Sequence, residues 1–238
     1  MRHLYWALAE VTRFGRSDIT DADRPVGWRA WIAGIALLNG IFCWLLAFGL
    51  YKLFRVHFVG EVIGAIVVCI WESWLYAKKF PGGTTVMARI LQPRCDDEMA
   101  DQSWRAAASF GVFMLKPLLL IVLGCMREMR WLVLYSVLSM CIMLDLSGAV
   151  SVRRKTRSVK AVSHWMVAAM TALLLSLLSG VHFTLVAMAT LVIAFLLPEA
   201  AVNHFPHETN DKRSVAKAFY LCFGELAMLL AGVVGLAL

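Results

Sequence analysis

Charge is scarce in this chain: Asp, Glu, Lys and Arg make up 16% of its 238 residues, while 61% are hydrophobic. A water-soluble fold of that composition would have too little polar surface to cover itself. Motifs for nucleotides and nucleophiles are missing as well. No G-x-G-x-x-G, Walker loop, G-x-S-x-G or H-E-x-x-H occurs, so neither a backbone phosphate cradle nor a Ser or Cys nucleophile has local support. The six cysteines show no C-x-x-C spacing, which removes the common zinc frameworks. Cys43, Cys69, Cys125, Cys141 and Cys222 fall in apolar runs and read as small packing residues, and Cys95 stands alone in a loop. No cleavable signal peptide is visible in residues 1–27, and no repeat or low-complexity tract divides the chain. One domain over 1–238 follows.

What the chain has instead is seven apolar runs, at 31–54, 57–77, 107–126, 131–150, 162–179, 181–200 and 215–238. Runs of about 20 residues cross ~30 Å of hydrocarbon as helix. Lipid leaves no backbone group unpaired, so all seven are expected to be helical. Eighteen of the 23 Lys and Arg residues lie in the segments on one side of these runs and four on the other, with Lys116 inside a run. The positive-inside rule then puts the N-terminus in the cytoplasm and the C-terminus outside. The expectation is an all-α, polytopic helical bundle of seven spans in a cell membrane, of bacterial inner-membrane type. Its net charge of +7 suits anionic headgroups and calls for no nucleic acid.

Two cytoplasmic segments stand out. In 1–27, Leu4, Leu8 and Val11 share one face of a short interfacial helix with Trp6 near its edge, and Gly15 is placed to end it. The loop 78–106 opens with Lys78, Lys79, Phe80, Pro81, Gly82 and Gly83 and closes with the acidic run Asp96, Asp97, Glu98 and Asp101. Such a run suits a hard divalent cation, with loop solvation as the plain alternative. His204, His207, Glu208 and Asp211 have ligand chemistry, but Pro206 breaks the helix that would align them, and a polar loop is the better reading.

Charges inside spans cost a few kcal/mol each unless paired or wetted. Glu72, Asp145 and Glu199 lie near the cytoplasmic ends of their helices. Lys116 and Glu225 lie deeper, at equal depth, and are expected to pair across facing helices, as a functional charge pair or as packing glue. Pro117 follows Lys116 and would free a carbonyl there. Glu61 is eleven residues before Glu72, three turns along one face, beside the outer interface.

Order and spacing then suggest a family. Thr12 and Arg13 end the first helix, Met99, Ala100, Asp101, Gln102 and Ser103 precede Phe110 and Gly111, Lys116 follows in the helix, and Gly224, Glu225 and Leu226 lie in the last one. Over nearly its whole length the chain resembles the cobalamin-5′-phosphate synthases, or adenosylcobinamide-GDP ribazoletransferases, with Asn210 and Asp211 at the place of a Gly-Asp pair. The resemblance implies a membrane transferase that joins a GDP-activated corrinoid to α-ribazole or its phosphate with release of GMP. The family's acidic motif, H-x-D-G-L-A-D-T-x-D-G, is replaced here by the segment beginning at Lys78. In this reading Asp96, Asp97 and Asp101 hold Mg²⁺, Arg13, Lys78 and Lys79 contact phosphate, and Asp97, Asp101, Lys116 and Glu225 form the catalytic set. Two other readings stand beside it: a non-catalytic relative that binds a corrinoid or a partner subunit, and a small transporter using Lys116, Asp145 and Glu225. Membrane lipid is an expected partner, and self-association is compatible with all three.

Overall fold

The structure, a computed structural model, describes residues 2–12, 27–54, 58–76, 83–84, 87, 98–151, 162–201 and 213–238. These form eight helices and no strand among the described residues: α1 (Arg2–Val11), α2 (Trp28–Leu53), α3 (Val59–Leu75), α4 (Glu98–Cys125), α5 (Trp131–Ser151), α6 (Ser163–Leu177), α7 (Val181–Ala201) and α8 (Arg213–Ala237). Each of the seven apolar runs coincides with one of α2 to α8. Four helices are both long and apolar enough to cross a membrane: α2, α4 from Gln102, α7 to Pro198 and α8 from Ala218. That is the signature of a membrane protein.

Two features differ from the sequence expectation. The segment 98–106 is the first part of α4 rather than loop. Hydropathy marks where a helix turns apolar, not where it begins, and Glu98, Met99, Ala100 and Gln102 are sound helix formers with acids suited to the N-terminal end. The first helix ends at Val11, not at Gly15, and the Thr12 hydroxyl donates back to the Leu8 carbonyl at 2.6 Å. Ala7 and Val11 are buried in the bundle core, with Leu4 exposed, so the apolar face of α1 covers protein rather than lying open to lipid.

The core is built around α5. From Trp131 to Leu146 this helix is buried at every position but Asp145, and α2, α6, α7 and α8 pack on it. Close approach needs small residues. At Gly40 a Cβ would stand 2.8 Å from the Val133 Cα, and at Gly224 one would stand 3.0 Å from the Ser139 carbonyl. Side chains there would push α2 and α8 off the central helix. Polar bonds pin the same contacts: the Ser136 hydroxyl donates to the Ala36 carbonyl at 3.0 Å, and Trp131 Nε1 donates to the Met228 carbonyl at 3.0 Å. Helices α3 and α4 pack on each other beside this core, α3 against α2 and α4 against α8. Leu38, Leu45, Ile70, Met166, Leu174, Leu185 and Val192 point outward and are exposed, as lipid-facing side chains would be.

Candidate functional site: a buried cluster of opposite charges

Lys116 on α4 is the centre. Its Nζ lies 2.6 Å from Glu225 Oε2 on α8 and 2.7 Å from Glu72 Oε2 on α3. All three side chains are closed off, with relative exposures of 2% for Lys116 and 1% for each glutamate. The pairing of Lys116 with Glu225 is the one expected from equal depth. The second carboxylate was not expected there, because Glu72 is only three residues from the end of α3. A lysine stem is long enough to bridge that difference in level.

Glu72 is also the best-served acceptor in the cluster. The Tyr135 hydroxyl lies 2.6 Å from both of its oxygens. Asn39 Nδ2 donates to Glu72 Oε1 at 3.3 Å and to the Tyr76 hydroxyl at 3.1 Å, and Trp71 Nε1 donates to Asn39 Oδ1 at 2.9 Å. Five helices, α2, α3, α4, α5 and α8, thus meet in one polar network inside an apolar bundle. Such a network is stable only when its members are satisfied, and a broken member leaves a charge stranded. Asn39, Tyr76 and Tyr135 were missed in the sequence. The available signal was the presence of strong hydrogen-bonding groups inside apolar runs, which lipid-facing helices avoid.

Asp145 is not part of this cluster. It lies ten residues beyond Tyr135 on α5, about 15 Å along the axis, and makes a second site with α2 and α6. His164 Nε2 stands 3.0 Å from Asp145 Oδ1, at an angle outside hydrogen-bond geometry. Trp165 Nε1 donates to Asp145 Oδ2 at 2.8 Å, and an Arg29 guanidinium nitrogen is 3.8 Å from Oδ1. Among the described residues no chain of contacts joins Asp145 to Lys116 and Glu225, and Glu72 is the second carboxylate at Lys116.

Glu61 is buried at 7% exposure rather than open to water, and its Oε2 has no hydrogen-bond partner among the described residues. It borders a cavity of about 20 Å³ lined also by Ala47, Ala65, Val68, Leu120 and Met129, room for about one water molecule. Pro117 lies inside an unbroken α4 and does not line this cavity. Lys116 itself is enclosed by its partners.

The remaining sequence-derived site residues are placed as follows. Arg13, Lys78, Lys79, Asp96 and Asp97 lie outside the described residues, as do His204, His207, Glu208 and Asp211. Asp101 is in the first turns of α4. Among the described residues no three His, Cys, Asp or Glu side chains converge as a metal site. The oxygen-only chemistry of Asp96, Asp97 and Asp101 fits a hard cation such as Mg²⁺. Comparison with family profiles, with curated proteins and with solved structures gives no match to this chain.

Proposed function

We propose that the chain is a seven-span membrane protein with its N-terminus in the cytoplasm, and that it acts at its cytoplasmic face as a transferase of cobalamin-5′-phosphate synthase type. The product would be a corrinoid joined to α-ribazole or its phosphate, with GMP released. One observation carries this reading. Lys116 and Glu225, 109 residues apart in sequence and each singled out by the resemblance, meet at 2.6 Å. Helices α3 and α6 are short, 17 and 15 residues, and a bilayer accommodates such spans by local thinning at modest cost.

In this reading the buried Lys116 and Glu225 are positioning residues. They fix α4 against α8, and α4 carries Asp101 at its start. Asp96, Asp97 and Asp101 would hold Mg²⁺, which when bound offsets the negative charge of a diphosphate. Arg13, Lys78 and Lys79 would contact phosphate directly as fixed positive charges. Complementation of a strain lacking its cobamide synthase tests the reading: the wild type restores growth that depends on the complete cofactor, and Asp97→Asn with Asp101→Asn does not. A wild type that fails to complement while folded in the membrane moves the non-catalytic relative, a corrinoid- or partner-binding protein, to first place. The orientation has its own test, since a reporter enzyme that works only outside the cytoplasm should be active when fused after Leu238.

A second reading, a small cation-coupled carrier, is favoured by two carboxylates facing one ammonium in the bundle core, since intramembrane charges mark ion pathways. It predicts solute flux into proteoliposomes that follows an imposed proton gradient and is lost in Glu225→Gln.

A further inference from the structure

Two carboxylates share a single ammonium in the core. Lys116 Nζ touches Oε2 of both Glu72 and Glu225, so the three groups with all charges present would carry one negative charge in excess. Among the described residues, the other ionisable groups facing them are Cys43 from α2, Cys69 from α3, Tyr76 just beyond it, Tyr135 from α5 and Cys222 from α8. Thiols and phenols are neutral in their ordinary forms at neutral pH. None of them supplies a positive charge. Arg29, a described cation of the same core, serves Asp145 about three helical turns away along α5. A lone excess charge in a low-dielectric interior is costly, and a bound positive charge removes it.

We infer that the Glu72–Lys116–Glu225 cluster is a binding site for one exchangeable proton, carried on a carboxylate oxygen as a carboxylic acid. A proton suits the site better than a metal cation. The ammonium already fills the space between the carboxylates and would repel a second cation, whereas a proton adds to an oxygen already in place and turns it from acceptor to donor. The geometry gives the two glutamates different standing. Glu72 pairs with the Lys116 ammonium at 2.7 Å and also accepts from Asn39 and Tyr135, while Lys116 is the one donor to Glu225 among the described residues. Donors favour the ionised form, so Glu225 is the resting place of the proton. The site holds whether the chain transfers a phosphate or carries a solute.

Difference infrared spectroscopy of the purified protein at neutral pH reads this directly, since a carboxylic acid has a carbonyl band that an ionised carboxylate lacks and that shifts in D₂O. A Glu61→Gln background removes from the signal the other buried glutamate among the described residues. Charge counting gives the expected pattern. The background protein shows one exchangeable acid band; adding Glu72→Gln or Glu225→Gln abolishes it, because one carboxylate then balances Lys116; adding Lys116→Gln about doubles it. Absence of the band from the background protein overturns the inference without reliance on any cluster variant. So does a band that survives both glutamine substitutions, or one that millimolar sodium removes at constant pH, which would make the third partner a metal cation.

Discussion

Glu61 and Glu72 are the same residue on the same face of α3, three turns apart, and both are buried. Their surroundings differ in every other respect. Glu72 meets an ammonium, a phenol and an amide drawn from three other helices, whereas Glu61 faces a cavity of about 20 Å³ with small and aliphatic walls and keeps one oxygen without a partner among the described residues. Burial of an acid in a bundle is therefore not one condition but two. The first ties helices together, and the second leaves a polar group unmatched at a place where the packing is loose.

The strongest way to break the contrast is to remove its centre. Lys116→Met leaves Glu72 without its cation and Glu225 without its hydrogen-bond donor, and a loss of about 3–5 kcal/mol is expected for breaking a buried pair. Lys116→Met combined with Glu225→Gln should recover part of that loss, read as melting temperature in detergent. Strictly additive losses would mean that the two residues do not act as a pair. Next in size is the direct comparison on α3. Glu72→Leu should destabilise by about 1–3 kcal/mol, because it leaves Asn39 and Tyr135 without their acceptor. Glu61→Leu, which fills apolar space and removes an unmatched group, should leave the melting temperature unchanged or raise it. Equal losses at the two positions would erase the distinction. The smallest effect is expected from Tyr135→Phe, which removes one hydroxyl from Glu72 and should cost about 0.6 kcal/mol, the average for hydrogen bonds between membrane helices, and no more than about 1.7 kcal/mol.

The seven helical runs were legible because long apolar runs in a membrane protein favour the helix, which pairs its own backbone groups. Pairing of Lys116 with Glu225 was legible for a related reason: depth along a helix can be counted from its apolar boundary. Depth failed for Glu72. Counting from the edge of an apolar run ignores the length of a lysine side chain and the offset between neighbouring helices, and α4 begins nine residues before its apolar run does. Asp145 illustrates the opposite error, in which a charge was grouped with others by type although it faces α6. The roles of Asn39 and Tyr135 depend on which helix lies opposite, and no local pattern encodes that. Its place near a span end puts Glu61 beside the outer interface, but Gly124 opposite it has no side chain and lets the carboxylate fold inward.

The central position of α5 constrains the order in which the chain can be assembled. A ribosome delivers α5 before α6, α7 and α8 exist, and N-terminal parts settle first during synthesis. At that moment the helix already has Ala36 of α2 and Glu72 of α3 to receive the Ser136 and Tyr135 hydroxyls, while Ser139 and Asp145 wait for α8 and α6. The last helix is therefore the closing piece: it brings the carbonyl that receives the Trp131 indole and the second carboxylate of Lys116 in a single step. A nascent chain halted before α8 carries an unfinished centre, which quality-control proteases that sense exposed polar groups in the bilayer are suited to detect.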